Sequence, residues 1–247
     1  MPDDSQTMPD APPSCGTSNF VLAFNGSQYV QVPDSTLVDP PGDLTVEAWT
    51  RFDGVTNGGY NCVVIKTVGT GTADSYSLWY DGGGLHSAVG LGLPNSVSTT
   101  YQWSPMLGGW YHLAMSFALA THDLRLYVNG SEVAVLANSQ TTPSYDNHLL
   151  TIGSDFGNNA AVGFFVGLID EVRIWSVVRT PQQIMADAAS CASGPQTGLA
   201  AYWQFNEDSG QFVQDASGNG NRGTLGATQG NDSTDPSWIL STEPFGP

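Results

Sequence analysis

The residues that could do chemistry are few and scattered. The chain holds 23 Asp and Glu, six Lys and Arg, four His and three Cys. Asp170 and Glu171 are adjacent, so on a strand they would point to opposite faces and could not share a substrate as acid and nucleophile. His112 sits in the alternating run WYHLAMSF, which predicts a packed or rim residue rather than a base. No G-x-S-x-G or H-E-x-x-H occurs, and Lys66 is the only lysine, leaving almost no group for Schiff-base chemistry. The glycine-rich DASGNGNRG has neither the following helix start nor the lysine of a phosphate cradle. A tight turn held by Asp215, Ser217 and Asn219 accounts for it. The chemistry argues against an enzyme.

Binding residues are better represented. Tyr145, Asp146 and Asn147, with Asp155, Phe156, Asn158 and Asn159, cluster in two stretches flanking a short apolar run at 149–152. An aromatic face beside amides and carboxylates is what holds a sugar, although ordinary turns use the same residues. Trp79, Tyr80, Tyr101 and Trp103 are alternative platforms, on strands where aromatics more often pack inward. Glu47 and Trp49 share a face in TVEAW, as do Glu171, Arg173 and Trp175 in IDEVRIW. The expectation is an internal Glu47–Arg173 ion pair between neighbouring strands, rather than Arg173 as ligand for an acidic sugar.

The elements that must position these residues are strands. Alternating apolar runs are expected as strands at Phe20–Phe24, Tyr29–Val32, Leu44–Phe52, Cys62–Val68, Ser75–Tyr80 and Leu85–Leu91. Further runs are Val97–Trp103, Trp110–Leu119, Leu124–Asn129, Glu132–Leu136, Leu149–Ile152 and Phe164–Trp175. Asn129-Gly130 between two such runs predicts a type I′ hairpin, because both residues tolerate positive φ. One helix is expected over PQQIMADAA, capped by Thr180 with Pro181 at its first position. LAAYWQF and SWIL, in the segment 198–247, either dock on the preceding strands, which is the expectation, or open a further repeat. The start, Met1 to Ser14, reads as an acidic Pro-rich linker, giving a division into 1–18 and 19–247.

The net charge of −17 removes the main attraction for phosphate backbones and anionic membrane surfaces, while favouring divalent cations. No apolar run reaches the roughly 18 residues of a membrane span. The first twenty residues, acidic and rich in Pro, lack the apolar core of a secretory signal, as expected of a piece of a longer exported protein. Three cysteines, Cys15, Cys62 and Cys191, lack metal-like spacing and allow one disulfide and one free thiol.

Several phrases together resemble the laminin G-like and pentraxin-like jelly rolls of the concanavalin A-like type. They are LAFNGSQYVQVP (22–33), LTVEAWTRF (44–52), VVIK (63–66), GGWYHLAMSF (108–117), LRLYVNG (124–130), LTIGSD (150–155) and GLIDEVRIWSVVRTPQQI (167–184), with the tail at 198–225. The resemblance implies an all-β, antiparallel two-sheet sandwich with one short helix. Glucanases of this type carry E-x-D-x-x-E, which this chain lacks. It also implies a structural Ca²⁺, held here by Asp170, Asn25 and carbonyls near Gly42. In the implied jelly roll, Cys15 and Cys191 emerge at one end of the sandwich and are expected to pair, with Cys62 buried and reduced. The expected role is a non-catalytic module of a larger exported protein, extracellular or on a cell surface, that binds a glycan. The alternative is an adhesion module that recognises protein, and a glycoside hydrolase-like enzyme stands behind both.

Overall fold

The computed structural model describes residues 9–15, 19–55, 59–69, 73–90, 96–192 and 194–241. In chain order its elements are β1 Phe20–Asn25, β2 Val30–Val32, β3 Leu44–Phe52, β4 Asn61–Val68, β5 Ala73–Tyr80, β6 Leu85–Val89 and β7 Val97–Tyr101. β8 Trp110–Ala118, β9 Asp123–Val128, β10 Ser131–Leu136, β11 Leu150–Ile152, β12 Asp155–Gly157, β13 Ala160–Val162 and β14 Val166–Trp175 follow. The chain closes with α1 Pro181–Ala188, β15 Leu199–Trp203, β16 Phe212–Val213, β17 Gly223–Leu225 and β18 Ser237–Leu240.

Among the described residues these strands form two eight-stranded antiparallel sheets and one small hairpin. The first sheet runs β10-β9-β8-β3-β14-β1-β18, with β15 also on β14; the second runs β16-β17-β2-β11-β4-β5-β6-β7. Their inner faces meet in one core that includes Phe52, Tyr76, Leu113, Phe165, Trp203 and Phe205. The fold is an antiparallel sandwich because the long strands each carry an apolar inner face and, with a single short helix among the described residues, the two sheets cover one another.

Turn chemistry sets the register. Asn129 and Gly130 both have positive φ, 50° and 71°, and join β9 to β10 with Ser131 opposite Val128. Gly167 is required for another reason: a Cβ there would lie 1.9 Å from the Arg51 carbonyl oxygen on β3. The helix carries a complete capping box between Thr180 and Gln183, with Pro181 in its first turn.

The tail is built into both sheets. β15 and β18 extend the first sheet along β14 and β1, and β17 pairs with β2 in the second. The glycine-rich stretch therefore leads into a strand, and SWIL is itself a strand. Residues 9–15, placed with the linker in the sequence, lie against the first sheet, where Ala11 is buried with Trp49 and Ala188. Met1 to Met8 and residues 16–18 lie outside the described residues, as does Leu91 at the end of one expected strand. Cys15 and Cys191 form a disulfide across 176 residues, and Cys62 is free and buried.

Candidate functional site

Two places gather polar chemistry, one on the outer face of each sheet. On the first sheet, the antiparallel β3–β14 register sets Arg173 opposite Glu47. The expected ion pair between them is nevertheless not made. The Arg173 guanidinium donates to Glu171 Oε2 at 2.7 Å, to the carbonyls of Asp187 and Ser190, and to the Tyr202 hydroxyl. Glu47 instead accepts the indole N–H of Trp175. The cause is a bulge in β14 between Asp170 and Arg173, with Glu171 at a φ of 52°. Asp170 and Glu171 do not point to opposite faces, as simple alternation requires, because the bulge turns both outward. Asp170 lies opposite Trp49, and Glu171 meets the hydroxyl of Tyr202.

This network is sealed. Trp49 donates its indole N–H to the carbonyl of Ala188, so α1 covers the cluster, and Arg179 stacks 4.0 Å over the Trp175 ring. Burial pushes Glu47 up to about 8 and Glu171 up to about 7, while burial and the charge of Arg173 hold His112 near 3 and neutral. Arg173 is therefore a structural cation and His112 a core residue, with no route to a ligand.

The residues expected to hold calcium do not converge. Asn25 lies opposite Val166 and Asp170 is four residues farther along β14, a separation of about 13 Å at the rise of a strand. Gly42 precedes Thr45, whose partner is Trp175 at the other end of β14. Asn25 is itself engaged, its side-chain oxygen accepting from the backbone and hydroxyl of Ser27. Asp170 does keep one buried carboxylate oxygen without a partner, yet an ion bridging these three positions does not fit the strand register.

The second site lies on the outer face of the second sheet. In β5, Tyr76, Leu78 and Tyr80 enter the core, so Ser77 and Trp79 between them face outward. A bulge where β4 and β5 pair sets Asp74 opposite Thr67 and leaves Ser75 as the extra residue. The β12–β13 hairpin stands over this face and supplies a wall. Together they enclose a cavity of about 390 Å³ lined by Tyr60, Cys62, Asp74, Trp79, Asp155 and Val162, among others.

The cavity has a definite chemistry. The Trp79 ring is stacked on His86, with centroids 5.0 Å apart, and Tyr60 meets it edge-on at 6.3 Å while remaining 56% exposed. The Trp79 indole nitrogen and Asp74 Oδ1 are buried without hydrogen-bond partners. Burial, and then the neighbouring Asp155, hold the Asp74 carboxyl well above the usual carboxylate range, against the opposing effect of the Ser77 hydroxyl. Burial raises Asp155 as well, against the opposing hydrogen bond from Phe156 N–H. Cys62 lies on the cavity lining with its thiol pushed well up by burial, which keeps it protonated and unreactive.

The remaining expected ligand residues are divided by the structure. Asp155 lines the cavity, but Asn158 and Asn159, both at positive φ (52° and 62°), form the two-residue turn of the β12–β13 hairpin. Phe156 pairs with Ala161 across that hairpin. Tyr145 packs edge-on against Tyr76 and donates its hydroxyl to the Pro40 carbonyl. Asp146 is taken up by Gly69 N–H and by the backbone and ring of His148, and Asn147 borders a separate open hollow with Gln31 and Thr228. Tyr80 is a core residue, and Trp103 packs on Phe52 and Tyr111. Reasoning from the sequence missed Asp74. The signal was present in A-D-S-Y-S-L-W-Y, but strict alternation read backward from Trp79 puts Asp74 on the core face, and the bulge reverses that.

A family model described as the concanavalin A-like lectin/glucanases superfamily matches residues 24–185. The chain belongs to this superfamily. Solved structures share the sandwich. A candidate carbohydrate-binding protein from Bacteroides ovatus has 20% identity and a TM-score of 0.71, over 92% of this chain and 61% of that one. This concanavalin A-like chain thus spans under two thirds of that protein's length. The heptameric SAP-like pentraxin of Limulus polyphemus has 14% identity and a TM-score of 0.56, over 85% of this chain and 95% of its own. The IT-sialidase CBM40 of Ruminococcus gnavus, solved with α2,3-sialyllactose, has 12% identity and a TM-score of 0.53, over 69% and 99%. At these identities the likeness is one of fold.

Proposed function

We propose that this chain is a non-catalytic extracellular module of a larger exported protein, and that it binds a glycan in the cavity on its second sheet. The observation that carries the reading is Trp79, held flat by His86 beside the exposed Tyr60 and two carboxyls, in a cavity sized for a sugar ring or two. Sugars are gripped by an aromatic face and by hydrogen bonds to fixed acceptors and donors, and this cavity has both. Binding modules among the structural neighbours support the reading. The Cys15–Cys191 bond supports an oxidising, extracellular or cell-surface location. A glycan array on the folded chain tests it: Trp79→Ala should lose the bound sugars while retaining the melting temperature to within a few degrees. Binding that survives this change would place the site elsewhere.

A second reading has one observation in its favour. Two carboxyls in one cavity are the pair of groups that glycoside hydrolysis uses as acid and as base or nucleophile. Release of nitrophenol from an aryl glycoside, abolished by Asp74→Asn, would establish hydrolysis in place of simple binding.

A further inference from the structure

The two carboxyls of the cavity have no cation of this chain to face. All six Lys and Arg residues are engaged elsewhere. Arg51 pairs with Asp53, Lys66 with Asp34 and Asp39, Arg125 with Asp123 and Glu132, Arg173 with Glu171, and Arg179 with Asp187. Arg222 lies over the Phe212 ring at 4.0 Å. The segments outside the described residues contain no Lys, Arg or His. Of the histidines, His86 stacks beneath Trp79 and contacts Asp81 and Thr100, His112 is buried in the first sheet, and His122 and His148 bind Thr141 and Asp146. With no Lys, Arg or His of this chain beside them, burial favours the neutral forms of Asp74 and Asp155, and a cation brought by a ligand would stabilise the charged forms.

We infer that the cavity selects a glycan carrying a protonated amine, a de-N-acetylated amino sugar, with the ammonium seated between Asp74 and Asp155 and the ring against Trp79. The inference rests on the glycan reading above and names the class of sugar. An ammonium offers three donors and no acceptor, which matches the unpartnered buried Asp74 Oδ1. A cation beside two buried carboxyls also relieves the mutual repulsion that their burial sharpens. Aromatic faces attract cations as well as sugar rings, so Trp79 and Tyr60 serve both ends of such a ligand. The net charge of −17 draws cationic sugars toward the surface and repels sialic and uronic acids. A divalent cation is the competing occupant. It wants six or more oxygens, whereas Val162, Ile65 and Ala88 line much of the cavity, and no metal-ligating cluster of three occurs among the described residues.

The test is calorimetric titration of the full chain with a glucosamine hexamer, the matched N-acetylglucosamine hexamer, and α2,3-sialyllactose. The glucosamine hexamer should bind, with N-acetylation weakening it about tenfold or more, the range of one charge-assisted hydrogen bond. Sialyllactose should not bind. Asp74→Asn and Asp155→Asn should each erase the preference for the free amine, while Asp208→Asn, an exposed control for overall charge, should leave it intact; melting curves confirm that each variant is folded. If the acetylated hexamer binds equally well and Trp79→Ala abolishes both, the glycan site stands and the cationic selection is wrong. If neither hexamer binds while calcium titrates a site lost in Asp74→Asn, the cavity is a metal site and both readings fall. If Asp208→Asn weakens binding as much as Asp74→Asn, the attraction is nonspecific and the inference is overturned.

Discussion

Arg173 lies opposite Glu47 in the β3–β14 register, yet its guanidinium reaches Glu171, 2.7 Å away, and leaves Glu47 to the indole of Trp175. The bulge that permits this places three charged residues under α1, where each group has only the partners the fold provides. Removing the cation should therefore be costly. Arg173→Met leaves Glu171 buried with the Tyr202 hydroxyl but no cation, and should destabilise the chain by about 3–5 kcal/mol in urea unfolding. Arg173→Lys should also destabilise, because an ammonium cannot reach Glu171 and the carbonyls of Asp187 and Ser190 in the planar geometry the guanidinium uses.

The same cluster sets a pH dependence. Glu47 and Glu171 titrate in the folded chain near 8 and 7, above the ordinary value of 4.5. Folding therefore favours their protonated forms. The stability they contribute is fully present below about pH 4.5 and is lost as pH rises through 7 and 8. The urea midpoint should fall across this window. Glu47→Gln, which retains an acceptor for Trp175, should flatten the fall. An unchanged slope in that variant would show that Glu47 is not the titrating group.

The disulfide joins the segment before β1 to the segment after α1. Cys191→Ser, or reduction, should lower stability by about 2–5 kcal/mol, the usual range for a native bridge. Peptide mapping should find Cys15 linked to Cys191. Cys62 should resist alkylation until denaturant is added, because its thiol is buried and held well above its ordinary pKa.

Ending the chain at residue 193 should leave a protein that aggregates. The change removes β15 from beside β14 and takes Trp203 and Phe205, both fully buried, out of the main core. Losing either large aromatic from a packed core costs about 3–5 kcal/mol, comparable to the whole stability of many domains. A soluble truncation with the melting temperature of the full chain would contradict the shared core.

Asn25→Asp should leave the response of the melting temperature to calcium, relative to magnesium, as it is in the parent chain. The new carboxylate would sit at the Val166 end of β14, out of reach of Asp170. A calcium-specific gain in this variant would mean that the first strand pairs in a different register.

Much of the sandwich is written locally. Apolar alternation places the long strands, Asn129-Gly130 places a hairpin and Thr180-Pro181 starts the helix, because each depends on neighbours within a few residues. The bulges at Asp170 and Ser75 are not local in this sense. They arise from how one strand accommodates its partners, and each moves a carboxylate to a face that strict alternation denies it. Asn158 and Asn159 have the composition of a sugar site, but their positive φ shows that the hairpin needed them for its turn. The sequence by itself determined the strands, the charge and the poverty of catalytic motifs, since these follow from composition and short-range pattern. Only the tertiary structure decided which residues meet: Asp74 and Asp155 are 81 positions apart (155 minus 74), and nothing but the stacking of a hairpin over a sheet could bring them to one cavity.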